Sequence, residues 1–303
     1  MSTKTNIEWT DASWNPVVGC SVTSPGCTNC YAMRSAARLE RIAQAALDKA
    51  KDDGVSDPVI PCAHYLGTTQ PSKAGPVWTG KLALAPDHIL TEPLAWRRPR
   101  RVFVNSMSDL FHESVPDAWI DRVFAVMALA PQHTFQVLTK RARRMREYVT
   151  SARSRVGELV LSQLLRWSGL NPPHDPEVWR RDDDRPWPLP NVWLGVSAED
   201  QSRANDRIPD LLATPAAVLF VSAEPLIGPI DLGDVSLDWI VVGGESGPGA
   251  RVWPGFTEAA RSIRDQCAHA RTAFFMKQMQ GITKRAMPPI PDDLMIREFP
   301  DAP

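Results

Sequence analysis

The chain has 303 residues, 43% of them hydrophobic and 23% charged, with a formal net charge of −1. This is the composition of a soluble globular protein with a sizeable core, and its balance supplies no global attraction for nucleic acid, so any such binding must use a local patch. No run approaches the roughly 18 consecutive apolar residues of a membrane span. The opening Met1-Ser-Thr-Lys-Thr-Asn-Ile-Glu8 lacks the apolar segment of a secretion signal, so a cytoplasmic location is expected.

Residues 1–19 read as an entry segment that supplies a strand and delivers Cys20 to a loop. From Tyr31 to about Ala50, apolar residues recur at helical spacing among Arg, Glu, Gln and Lys, and the pattern stops at Lys51-Asp-Asp-Gly54. Residues 55–100 are rich in Pro and Gly and read as an insertion, with a strand near Trp78–Leu84. Six short apolar runs then follow: 101–105, 134–138, 191–196, 217–221, 237–242 and 272–276. Helix-length segments separate them: one from Pro116 through Ala130, a basic one to about Trp167, a short one after Glu199, and Thr257–Ala270. A polar, Pro-rich loop precedes Asn191. Runs of this kind belong to a parallel sheet buried on both faces. Polar residues gather just after each run, where α/β barrels place their chemistry. The expectation is one α/β domain over residues 1–303, a partial or complete (β/α) barrel, with an open doubly wound sheet as the runner-up.

Cys20, Cys27 and Cys30 form a C-x6-C-x2-C pattern with a Pro25-Gly26 turn inside the long gap. Soft thiolates on one loop can share a metal centre, and three of them leave a position open for a substrate or cosubstrate of a [4Fe–4S] cluster. Zinc is the chemical alternative, closed by Cys62 or His64. Cys62-Ala-His64 otherwise reads as part of the insertion without a ligand role. Cys267, at helical spacing from Ala259 and Ile263, reads as core.

Several segments carry a family resemblance: Asn6-Ile-Glu-Trp-Thr10, Trp14-Asn-Pro16, Gly19-Cys20, Cys27-Thr-Asn-Cys30-Tyr31-Ala32, Glu224-Pro-Leu226, Asp238-Trp-Ile-Val-Val-Gly-Gly-Glu245-Ser-Gly247 and Phe275-Met-Lys-Gln278. With a cysteine triplet after the first strand and serial βα units, the chain resembles the radical S-adenosylmethionine superfamily. More closely, it is similar to a phage-associated radical-SAM-like family. The first cysteine gap is six residues rather than the superfamily's commoner three, and the aromatic residue, Tyr31, follows the third cysteine. The resemblance implies a [4Fe–4S] cluster held by Cys20, Cys27 and Cys30, with S-adenosylmethionine chelated at the fourth iron. It implies a flavodoxin- or ferredoxin-like one-electron reductant, a 5′-deoxyadenosyl radical that abstracts a substrate hydrogen, and a location in a bacterium or phage-infected cell. The phage association suggests a nucleoside or nucleic-acid substrate, such as a hypermodified thymidine base whose substituent is rearranged. A zinc-stabilised nucleic-acid-binding module and a zinc-dependent hydrolase remain as alternatives.

In that frame, Ser106, Ser108 and Asp109 either bind the cosubstrate's ammonium and carboxylate or cap the next helix. Thr139-Lys140-Arg141 offers cations to a carboxylate or phosphate, or is an exposed helix start. Ser197, Glu199, Ser222, Glu224, Gly243-Gly244-Glu245-Ser246 and Lys277-Gln278 open on the same mouth. Their carboxylates suit ribose hydroxyls or a substrate amine, and the two glycines suit close approach of a ligand to the backbone. Two arginine-rich runs stand out. The first, 97–101, falls at the opposite end of its strand and reads as solvated, while the second, 140–146, begins at the mouth and is open between phosphate contact and a solvated helix face.

Overall fold

Each of the six apolar runs is a strand, preceded by a short strand ahead of the cysteine loop. In the computed structural model, which describes residue 5 and residues 7–166, 179–181 and 184–301, these strands form one parallel sheet. They are β1 (Ala12–Trp14), β2 (Arg101–Val104), β3 (Thr134–Thr139), β4 (Val192–Ser197), β5 (Val218–Ala223), β6 (Trp239–Gly243) and β7 (Ala273–Gln278). They pair in chain order from β1 to β7. The longer helices are α1 (Tyr31–Asp52), α2 (Asp117–Leu129), α3 (Ala142–Ser151), α4 (Arg153–Arg166), α5 (Gln201–Leu212) and α6 (Phe256–Ala270). The single basic helix expected up to Trp167 is thus two, broken at the buried Ala152, and Trp167 itself lies outside the described residues, as does much of the Pro-rich loop after it.

Serial strand order excludes the doubly wound alternative, whose order reverses at a switch point. The sheet is also curled. In a flat sheet β1 and β6 would stand five spacings apart, roughly 24 Å. The Trp9 ring, just ahead of β1, instead lies 5.9 Å from Trp239 of β6. The concave face carries Phe103, Trp193, Phe220, Trp239 and Phe275, which meet Trp9 as an aromatic floor. The convex face, with Val104, Val137, Leu194, Val221, Val242 and Met276, packs into the larger core that holds the helices. Alternation along every strand therefore splits two apolar surfaces, which explains why the runs read as continuously hydrophobic.

β1 and β7 do not pair, so the barrel is partial. The C-terminal segment lines the β7 edge antiparallel, with Met276 N donating to Ile296 O at 2.8 Å and Glu298 N to Phe274 O at 3.0 Å. Arg297 pairs with Glu8, and Arg101 stacks 4.0 Å from the Phe299 ring centre, so the two terminal segments meet at the floor end. The insertion contributes a hairpin, Thr69–Ser72 with Gly75–Trp78, and Ala83–Leu84, which pairs antiparallel with Val17–Val18. Its Tyr65 and Trp78 join Val18, Ala32, Met33, Ala36 and Met107 in an apolar cluster bordered by Cys20, Cys30 and Cys62. The insertion is thus the outer wall of the cysteine loop. No helix among the described residues is long and apolar enough to cross a membrane.

Candidate functional site

The cysteine loop lies over the ends of the strands where the polar residues collect. Gly19 bridges to Ser108 beyond β2, and Gly80 N of the insertion donates to Cys20 O at 3.2 Å. Pro25–Cys27 is a single tight turn, closed by Cys27 N donating to Ser24 O at 2.9 Å. Cys30 is the N-cap of α1, and Met33 N in the first turn of that helix donates to the Cys30 carbonyl oxygen at 3.3 Å. A helix N-terminus favours negative charge, so this end suits a thiolate.

All three thiols are free; Cys27 is buried, and Cys20 and Cys30 are partly so. Burial pushes Cys20 up to about 12; Asp109, Cys27 and Cys30 add to the rise and Arg141 opposes it. Burial, and then Cys27, also raise Cys30. As they stand, no group of three or more His, Cys, Asp or Glu among the described residues is arranged to hold a metal ion. Cys62 belongs to the insertion and borders the same apolar cluster, while Cys267 is buried on α6 with Ala259 and Ile263.

Three strand-end carboxylates are each locked to an arginine, and together they hold the loop. Asp109 accepts from Phe111 N and Thr139 Oγ1 on one oxygen and from Lys140 N and Arg141 Nη1 on the other, at 2.6–3.0 Å. Arg141 also donates to Glu113 at 3.2 Å, to Ser21 Oγ at 2.9 Å and to Cys20 Sγ at 3.9 Å. Ser21 Oγ lies 2.8 Å from His112 Nε2; since Ser114 N donates to the ring's Nδ1, Nε2 carries the proton. Glu199 has no exposed surface and lies between Arg207 of α5 at 2.9 Å and the loop's Gly26 N at 3.2 Å. Glu245 accepts from Arg251 through its side chain and backbone and from Asn29 Nδ2 at 3.1 Å. Burial works against the charge of both glutamates, but Lys140 and Arg207 around Glu199, and Arg251 and Asn29 around Glu245, hold them below the usual carboxylate range.

Of the residues picked out in the sequence, several are thus occupied in architecture. Ser106 Oγ bonds Asn15 Oδ1 at 3.0 Å, Ser108 Oγ bonds Val17 O at 2.8 Å, and Thr139 is buried between Asp109 and Arg141 N. Gly244 faces protein: a side-chain carbon there would stand 2.4 Å from Gln280 N. Gly243 faces Glu224, whose Oε1 would lie 2.5 Å from such a carbon. The glycines expected to admit a ligand instead admit a backbone and a glutamate.

What remains is a polar arc above the aromatic floor. Lys140 Nζ donates to Ser197 Oγ at 2.9 Å. Ser197 is the register neighbour of Ser222, whose hydroxyl donates to Glu224 Oε2 at 3.2 Å. Glu224 Oε1 pairs with Lys277 Nζ at 2.7 Å, reaching from β5 over Gly243 of β6 to β7. Tyr31 is more than half exposed, yet its hydroxyl donates to Ser106 O at 3.2 Å and feels the charges of Cys30 and Glu224. Its hydroxyl is therefore tied to the end of β2.

The residues the sequence reading missed are chiefly the cationic locks. Arg207 sits on the buried face of α5 with Ala204, Ile208 and Leu211, and an arginine at core spacing was the available signal. Arg251 carries no such mark. In the second arginine run, Arg141, Arg143, Arg144 and Arg146 pair with Asp109, Glu147, Asp117 and Asp210, so that face is carboxylate-neutralised rather than open to phosphate. In the first, Arg100 covers Trp96 and Arg101 pairs with Asp11 at the floor end.

No curated protein and no solved structure shows significant similarity to the chain. The sequence profile of one protein family, described as "Protein of unknown function (DUF5131)", matches residues 4–290, taking in the cysteine loop, every strand and the polar arc. The chain is therefore a member of that family.

Proposed function

We propose that this protein is a radical S-adenosylmethionine enzyme whose [4Fe–4S] cluster is held by Cys20, Cys27 and Cys30. The observation that carries the reading is the placement of three free thiols of one short loop over the strand ends of a curled parallel sheet. The donor chemistry suits the group: three free sulfurs on one loop, Cys30 at the N-terminus of α1, and an apolar wall behind. When bound, the cluster supplies one electron for cleavage of S-adenosylmethionine and so a radical able to take hydrogen from a substrate. The chain's own work is holding and shielding. Arg141, Arg207 and Arg251 pin the carboxylates that fasten the loop. Tyr65 and Trp78 keep water from its outer side, and the aromatic floor closes the barrel below the polar arc. Water exclusion protects a reactive intermediate from quenching. The substrate is a nucleobase, a hypermodified thymidine of DNA, and this rests on the sequence resemblance alone.

Anaerobic reconstitution tests the reading. A brown protein with about four irons per chain that forms 5′-deoxyadenosine on reduction with S-adenosylmethionine is expected. Cys27→Ala should lose both the colour and the nucleoside. A colourless protein holding one tight zinc would overturn the assignment.

A further inference from the structure

Over much of the surface, arginines meet carboxylates: Arg122 with Asp87, Arg143 with Glu147, Arg261 and Arg264 with Asp293. The outward face of α1 departs from that pattern. Arg34, Arg38 and Arg41 are four and three residues apart, so they share one side of the helix, opposite the buried Ala32, Met33, Ala36 and Ala43. All three are exposed, and none pairs with a carboxylate among the described residues. Arg34 donates to Pro248 O at 3.2 Å and Arg41 to Ala37 O at 3.3 Å, contacts that leave both charges uncompensated. The one carboxylate of residues 31–47 is Glu40, and it is turned toward the insertion, where it accepts from Gly67 N and Thr69 N. No acid lies in the first turn of α1, so Arg34 stands near the positive end of the helix dipole with nothing to offset it. Three like charges held together on one face carry a local cost in stability that an anionic partner would relieve.

This face starts at the mouth. Tyr31, the first residue of α1, is tied to Ser106 O at the end of β2, and Arg34 reaches the loop that follows β6. From Arg34 to Arg41 the helix rises roughly 10 Å. Cations spread in series over that length suit a string of anionic groups, and a DNA strand carries one phosphate charge about every 3.4 Å of helix axis. We propose that the outward face of α1, through Arg34, Arg38 and Arg41, is the track for the phosphodiester backbone of a DNA strand whose target base turns into the mouth. The assignment rests on the reading of the mouth as the active face of a base-modifying enzyme. A base must leave its stack to enter, because the mouth lies among strand ends above a closed aromatic floor. With an overall charge of −1 the chain offers DNA no general attraction, so a local track is what backbone binding requires. The second arginine run cannot serve, since its charges are already paired.

The test is fluorescence anisotropy of the full chain, with and without reconstituted iron, on a labelled single-stranded oligodeoxythymidylate of about 12 nucleotides. The triple variant Arg34→Gln, Arg38→Gln, Arg41→Gln keeps good helix formers on an exposed face, and circular dichroism reports whether it is folded. At low salt it should bind the oligonucleotide about tenfold or more weakly, and its slope of log affinity against log salt should be shallower by about 2. A charge-matched control, Arg97→Gln, Arg98→Gln, Arg143→Gln, removes three arginines elsewhere and should bind as the parent chain does. No binding by the parent chain, equal losses in the two triple variants, or unchanged affinity and slope in the α1 variant overturns the proposal. An α1 variant that holds DNA normally but accepts electrons more slowly from an acidic flavodoxin also overturns it, and gives the face to the reductant. Iron content and 5′-deoxyadenosine formation are separate readouts, so a failed cluster assignment is distinguishable from a failed track.

Discussion

Arg141 is a guanidinium with almost no solvent, tied to Asp109, Glu113, Ser21 and Cys20. Replacing it by Met would leave Asp109 buried without its cation, and breaking a buried pair from one side costs about 3–5 kcal/mol. Arg141→Met should therefore lower the urea-denaturation free energy by about that amount. It should also speed alkylation of Cys20 in the native protein, read by peptide mass spectrometry, because Cys20 loses a neighbour that holds it in place. Asp109 and Arg141 both stood out in the sequence, as polar residues after apolar runs. What they do there was not legible, because a hydroxyl or carboxylate at a strand end is equally suited to a ligand and to its neighbour's backbone. Glu199 illustrates the point: its type and position suggested ligand contact, while Arg207 and Gly26 take up its oxygens.

At the scale of elements, the floor end depends on segments far apart in the chain. Residues 296–298 line the β7 edge, and Glu298 O accepts from the indole of Trp239 at 2.9 Å. An uncovered parallel edge offers a row of unpaired backbone groups to other chains. A chain ending at residue 290 should therefore elute in aggregates on size exclusion where the full chain does not. Within the floor, Trp239 is wholly buried against Trp9, Trp193, Phe220, Phe275 and Phe299. Trp239→Ala should cost about 3–5 kcal/mol in chemical denaturation. The sheet strands were readable from the apolar runs, with ends displaced by a residue or two, whereas the strand expected near Trp78–Leu84 is two separate strands, Gly75–Trp78 and Ala83–Leu84. The break between α3 and α4 was not readable, since the basic pattern continues through Ala152 without a glycine or proline to mark it.

For the molecule as a whole, the locks on Glu199 and Glu245 tie loop retention to pH. Both carboxyls are held below their ordinary range, so the unfolded chain binds protons more readily than the folded one does. Their contribution is complete above the ordinary glutamate value of about 4.3 and is lost as pH falls through the lower folded values. Urea midpoints should therefore drop steeply below about pH 4. Glu245→Gln should flatten part of that slope, and a variant with an unchanged slope would show that the Arg251 lock contributes nothing to it.

By itself, the amino-acid order determined the serial βα architecture, the parallel sheet and the mouth where polar residues gather. Each of these follows from local periodicity, and periodicity is written in neighbouring residues. It also isolated the cysteine loop, since three cysteines in one turn need no tertiary contact to be seen together. Only the tertiary structure decided that the sheet stays open between β1 and β7. It alone showed that residues from the insertion wall the loop and that terminal segments meet under the floor. The same holds for the strand-end acids. Which carboxylate pairs with an arginine and which with a lysine depends on what another element brings beside it. That is a matter of through-space charge pairing, which sequence spacing does not encode.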